Sequence, residues 1–218
     1  MRERPILFSG AMVRAILSGQ KTVTRRAVKP ALPESVVEVL PFAGAHSACM
    51  PVRPGTPDQP WEEQIRVCPY GKPGDRLWVR ESLRFDPEYG HYYAAGGRHG
   101  ETVYMCSLFD DEDKQTGPSY DGLLPERSVP SIHLHRRYSR ILVEITAVRV
   151  ERLQEITEQQ ALAEGVASCA QDLDPDGNGY SPGELFSILW SSINGTDSWN
   201  ANPWVWVVEF KRVEVANV

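Results

Sequence analysis

The sequence predicts an α+β chain with one core and two irregular insertions, and three observations carry that reading. Ser139 to Leu153 sets Ile141, Val143, Ile145, Val148 and Val150 in near-alternation, the period of a strand. Val205 to Val213 reads as a final strand. Short helical patterns at 10–18, 158–164 and 185–193 stand between the strands.

Residues 5–9 (P-I-L-F-S) predict a short strand, and 10–18 a helix whose apolar residues are Met12, Val13, Ile16 and Leu17. Gly19 stops that helix, because glycine best tolerates the left-handed conformation that closes one. Val23 to Val28 predicts a strand ended by Pro30. Pro30 to Pro73 carries nine prolines and little periodicity, which predicts a long loop region with room for a hairpin. Leu77 and Val79, then Ser82, Leu83 and Phe85, belong to a strand that bends. His91 to Ala94 and Thr102 to Cys106 flank the turn Gly96-Gly97-Arg98-His99-Gly100, a hairpin signal. Asp110 to Lys114 reads as a solvated acidic turn. Thr157 caps a helix at 158–164 that Gly165 stops. There is no internal repeat.

Composition sets limits. The chain has 218 residues, 41% hydrophobic and 24% charged, with a formal net charge of −6. That balance argues against coating nucleic acid through bulk positive charge, although it allows a local basic patch. No apolar run approaches the ~20 residues that span a bilayer, and Met1-Arg-Glu-Arg-Pro lacks the apolar core of a signal peptide. The expected location is therefore cytoplasmic, with no membrane partner. Cys49, Cys68, Cys106 and Cys169 are scattered without a C-x-x-C pair, so neither disulfides nor zinc are expected. His133-x-His135 is the one close pair of metal-ligand type, and rim or surface histidines are the preferred reading. Asp172-x-Asp174-x-Asp176-Gly177 matches half of a calcium loop, but its twelfth position is Gly183 and Glu184 comes one place late. A polar turn is expected there, with no metal and no cofactor.

The densest chemistry follows the first helix stop. Ile16 to Lys29 places Lys21, Thr22, Thr24, Arg25 and Arg26 within six positions, more donors than a helix exit into a strand requires. Such a group can hold an anion or polarise a carbonyl. In a regular strand Thr22, Thr24 and Arg26 share one face and Lys21 opposes Thr24. Lys21 and Thr24 converge only if residues 20–23 form a turn or bulge. Glu164 sits in the last turn of its helix, where a carboxylate opposes the dipole.

Gly19-x-Lys21-x-x-Thr24-x-Arg26 resembles the G-x-K-x-x-E/T-x-R signature of ASCH domains, a branch of the PUA-like barrels. Gly74 to Glu81 (G-D-R-L-W-V-R-E) is similar to that family's G-D-x-L-x-V-R-E strand. Ile156 to Gly165 resembles its helix ending in A-x-x-E-G, and Trp204 to Arg212 its closing strand. The matched blocks cover roughly the first thirty residues, 74–84 and 138–212, in the family's order. The opening R-P-I-L-F-S-G-A-M-V-R-A-I-L also resembles the long ASCH-type proteins of phages and prophages. The resemblance implies a mixed β-barrel with flanking short helices, formed as a single domain over 1–218 with insertions at about 30–70 and 85–130.

One bacterial branch resembling this sequence hydrolyses the amide of N(4)-acetylcytidine and carries threonine where most of the family has glutamate, as Thr24 does here. It implies Lys21, Thr24 and Glu164 as catalytic residues, with Arg26, Thr22, Arg80 and Glu81 binding substrate. Thr24 would be the nucleophile and a neutral Lys21 its base, while Glu164 orients Lys21 or protonates the leaving amine. Two other functions stay open. In a module that binds RNA without catalysis, Arg25, Arg26, Lys29, Arg136, Arg137 and Arg140 track phosphates while Trp78, Tyr92 or Tyr93 stack bases. In a ribonuclease, Lys21 and Arg26 stabilise phosphorane charge. The expected partner is a modified nucleoside or RNA.

Overall fold

The computed structural model describes residues 1–42, 45–52, 55, 61–105 and 124–213. In chain order the elements are β1 (Glu3–Leu7), α1 (Gly10–Leu17), β2 (Val23–Ala27), β3 (Val39–Phe42), β4 (Ala45–Pro51), β5 (Arg66–Val67) and β6 (Arg76–Arg80). They continue as β7 (Leu83–Asp86), β8 (Gly90–Tyr93), β9 (Leu142–Arg152), α2 (Glu158–Ala163), α3 (Ala170–Leu173), α4 (Pro182–Asn194) and β10 (Trp204–Val213). Short 3-10 turns connect several of them.

The two strands with the clearest apolar patterns pair with each other. β9 and β10 run antiparallel from Trp204↔Arg152 to Val213↔Leu142, with a register shift at Glu209/Phe210. Around them forms a five-stranded sheet in the order β1-β6-β9-β10-β2, in which β1 is parallel to β6 and the other neighbours are antiparallel. β10 is buried on both faces. Trp206, Val208 and Phe210 join the core under α1 and β1, while Val205 and Val207 pack with Leu185, Phe186 and Trp190 of α4.

The α+β reading matches this architecture, but among the described residues the sheet is open. β1 and β2 are its edges, and no backbone ladder joins them. A flat five-stranded sheet would hold those edges about 19 Å apart. Nevertheless Arg26 Nη2 of β2 donates to Leu7 O at the end of β1 at 2.6 Å. The sheet therefore curls until one arginine side chain spans the seam.

Among the described residues, 30–73 carry more structure than their proline pattern implied. β3, β4 and β5 form a second antiparallel sheet, so the stretch expected to be mostly loop contributes the buried Val36, Cys49 and Cys68. β7 pairs with β8, and the predicted glycine hairpin is present through Tyr93 N donating to Val103 O and Met105 N to His91 O, both at 2.9 Å. Prolines had masked these strands because they lie at strand ends and edges, where a missing donor is tolerated. Cys106 and the expected acidic turn at 110–114 lie outside the described residues, as does most of 53–60. Cys49, Cys68 and Cys169 are free thiols.

The Asp172–Gly177 stretch is a polar turn. Asp174 accepts from the N–H groups of Asn178 and Gly179, each at 2.9 Å, which holds its carboxyl below the usual range. His133 ends a 3-10 turn instead of lying in an extended segment. No helix among the described residues is long and apolar enough to cross a membrane.

Trp206 is 1% exposed, whereas Trp204 is half-buried under the Arg152 guanidinium, 4.4 Å from its ring. Trp206→Ala should lower unfolding stability by about 3–5 kcal/mol and Trp204→Ala by less than half of that, measured by denaturant titration. Equal costs would contradict this packing.

Candidate active site

The turn that the motif required is present. Gly19 adopts φ 79°, and the N–H groups of Gln20 and Lys21 both donate back to Ala15 O, at 2.9 and 3.0 Å. Thr22 N donates to Ala163 O at 2.9 Å, tying this turn to the end of α2. β2 begins only at Val23, so Lys21 escapes strand alternation and lines the same cavity as Thr24.

The end of α2 supplies the third group. Thr157 and Gln160 form a capping box at its start, Glu164 caps its C-terminus, and Gly165 follows at φ 84°. A β-carbon on Gly165 would lie 2.8 Å from Ala15 Cβ and 3.0 Å from Lys21 Cβ. Glycine is therefore needed twice over, for its backbone angle and for the close approach of the two helix ends.

Lys21, Thr24, Arg25 and Glu164 are all 4% exposed or less. Lys21 Nζ donates to Val23 O, Glu164 O and Glu164 Oε2, each at 2.8 Å, so all three of its N–H groups are used. Burial pushes the Lys21 pKa below its ordinary value; the Glu164 carboxylate opposes that shift and Arg26 adds to it. The second Glu164 oxygen faces Arg25 Nη1 at 3.3 Å. Arg25 Nη2 in turn donates to Glu151 Oε1 at 2.5 Å and Gln160 Oε1 at 2.9 Å. Glu151 also accepts from Arg149 Nε at 2.9 Å, and Arg149 pairs with Glu209. Charges of alternating sign thus run from the cavity across three strands.

The cavity, about 340 Å³, lies at the open seam of the sheet. Leu7, Phe8 and Ser9 form one side and β2 the floor, while Phe186, Leu189, Trp190 and Ile193 of α4 form an apolar wall. Thr24 lines it with a hydroxyl that has no hydrogen-bond partner among the described residues. Arg26 lines it too, 5.5 Å from the Phe8 ring. Lys21 Nζ lies 5.4 Å from the same ring.

Four of the seven expected site residues, Lys21, Thr24, Arg26 and Glu164, therefore share this cavity. Thr22 does not, since it is exposed and outside the lining; its backbone serves as the tie to α2. Arg80 and Glu81 are not part of it either. Arg80 stacks over Trp78 at 5.0 Å, and the buried Glu81 carboxylate is held by Arg140 through two bonds of 2.9 and 2.8 Å. The phosphate track also loses members, because Arg25 is buried among carboxylates and Arg140 is occupied by Glu81. Trp78 and Tyr93 are buried, and Tyr93 donates its hydroxyl to Tyr138 O at 2.8 Å, so neither offers a free stacking face. Sequence reasoning missed Glu151, Gln160 and the α4 wall. The alternating charges Arg149-x-Glu151, inside a strand of near-alternating apolar residues, were the available signal. Among the described residues no group of three His, Cys, Asp or Glu side chains is arranged to hold a metal. No family model matches the chain, and no curated protein or solved structure matches it either.

Arg25→Met should cost about 3–5 kcal/mol, because it leaves Glu164 and Glu151 short of a buried partner. Arg149→Met, at a half-exposed position, should cost less than about 1 kcal/mol. Gly165→Ala should cost about 2–4 kcal/mol from backbone strain and overpacking together. Urea titration of the three variants checks this order.

Proposed function

We propose that this cavity hydrolyses an amide on an acylated nucleoside of the N(4)-acylcytidine kind, in an ASCH-type fold whose PUA-like barrel is left open at the active-site seam. One observation carries the reading: a buried lysine with a lowered pKa, a threonine hydroxyl without a partner and a carboxylate that grips the lysine line a single cavity.

In the proposed step, Lys21 loses a proton to solvent and swings its neutral amine from one of its carbonyl acceptors toward Thr24. Thr24 Oγ1 attacks the acyl carbon, and its proton passes to Lys21 Nζ. The bond between the acyl carbon and the exocyclic nitrogen then breaks, and the leaving amine takes the proton from the Lys21 ammonium. Water then gives a proton to Lys21 and its oxygen attacks the ester carbonyl; the acyl C–O bond to Thr24 breaks, Thr24 Oγ1 takes the proton back from Lys21, and the acid is released. Glu164 orients Lys21. Its two carboxylate oxygens are engaged by Lys21 and Arg25, which suits a fixed anion better than a proton donor. Arg26 contributes positive potential.

The Lys21 base form grows as pH rises, so the rate should climb with pH below the lowered Lys21 pKa and level off above it. Mass-change screening of acylated nucleosides should show turnover by the wild type and none by Lys21→Ala. Lys21→Arg should be inactive because guanidinium cannot accept the proton. Thr24→Ser should keep part of the activity and Thr24→Val none. Activity in Thr24→Val or Lys21→Arg would sink the mechanism.

A further inference from the structure

The charges of the cavity do not balance, and the imbalance falls on one side chain. Lys21 spends its three N–H groups on Glu164 and Val23, and Arg25 is clamped between Glu164 and Glu151. Arg26 meets no carboxylate among the described residues and donates once, to Leu7 O. Three cations therefore face two carboxylates, and the surplus positive charge sits on a guanidinium that still has N–H groups to offer. Arg26 also lines the cavity, so a ligand there can meet those free N–H groups. The α4 wall of the cavity is apolar, suited to the flat body of a base.

We infer that the cavity selects the phosphorylated form of its nucleoside, a mononucleotide whose phosphate is taken by Arg26 while the base lies against α4. This rests on the proposed function for the identity of the base, whereas the phosphate preference comes from the unpaired arginine. At about 340 Å³ the cavity is at the small end of the range for single small molecules, which favours a mononucleotide over a stretch of chain. Thr24 and Arg26 are two residues apart on one face of β2, so a ligand anchored at Arg26 presents its far end to Thr24.

Calorimetric binding to the full chain at pH 7 tests this with four unacylated probes: cytidine, cytidine 5′-monophosphate, inorganic phosphate and a short cytidine oligonucleotide. The monophosphate should bind at least about tenfold more tightly than cytidine, the usual gain from a charge-assisted hydrogen bond. Added salt should weaken the monophosphate and spare cytidine. Arg26→Lys should keep the preference. Arg26→Gln should bring the two affinities together by lowering that of the monophosphate alone. Equal affinities in the wild type, a preference that survives Arg26→Gln, or no binding of any probe would each overturn the inference. Tighter binding of the oligonucleotide than of the monophosphate would also overturn it, in favour of RNA. Hydrolysis is read separately with acylated substrates, so failure of catalysis and failure of anion selection would appear in different measurements.

Discussion

The Glu164 carboxylate, held between Lys21 and Arg25, is the contact on which the rest of the site depends. A carboxylate at a helix C-terminus opposes the dipole, and an ion stripped of water costs several kcal/mol unless it is paired and hydrogen-bonded. Lys21 answers both problems at once by donating to the Glu164 carbonyl and to its carboxylate. Arg25 completes the second oxygen and is itself held by Glu151 and Gln160. The turn after α1, the end of α2, strand β2 and strand β9 are thereby locked into one arrangement. Because the pairing is buried, little of its energy is lost to solvent screening, and removal of Glu164 leaves Lys21 without a carboxylate.

The open seam has a physical consequence. Had β1 and β2 continued the ladder, their facing backbone groups would have been consumed by each other. Instead Arg26 bridges the edges with one hydrogen bond, and the space beside it becomes the cavity. Thr24 lies in that gap, on an edge strand whose other side is paired with β10. α4 covers the opening with apolar side chains while leaving Ile193 60% exposed at the rim. The site is thus built from the place where the sheet fails to close, with polar groups on the floor and an apolar wall facing them.

The motif residues were legible because each is tied to a local signal. Gly19 and Gly165 announce helix stops, and both adopt positive φ. Lys21, Thr24 and Glu164 stand in fixed relation to those stops, so their convergence could be anticipated from the turn they require. That Thr22, Arg80 and Glu81 lie outside the cavity was not legible, because a motif states which residues recur together, not which way each side chain points. Thr22 shares a motif with the cavity residues but serves it through its backbone, and Glu81 shares one with β6 while its carboxylate belongs to Arg140. Arg25 was the most misleading. Beside Arg26 in sequence it reads as a second surface cation, yet strand alternation turns it onto the opposite face, toward the carboxylates.

By itself the sequence determined what local chemistry controls. That includes the strands of near-alternating apolar residues, the short capped helices, the glycines at their ends and the cluster of donors after α1. Periodicity and backbone preference depend on neighbours along the chain, so they can be read without a fold. The tertiary structure decided which charges meet and where the cavity opens. Both follow from a sheet order, β1-β6-β9-β10-β2, in which β2 from the N-terminal region lies beside the last strand and two places from β9. Pairing of Arg25 with Glu151 and Glu164, over separations of 126 and 139 residues, exists only once that order and register are set. Burial then gives Lys21 its lowered pKa, a property that depends on removal of water and not on residue type alone.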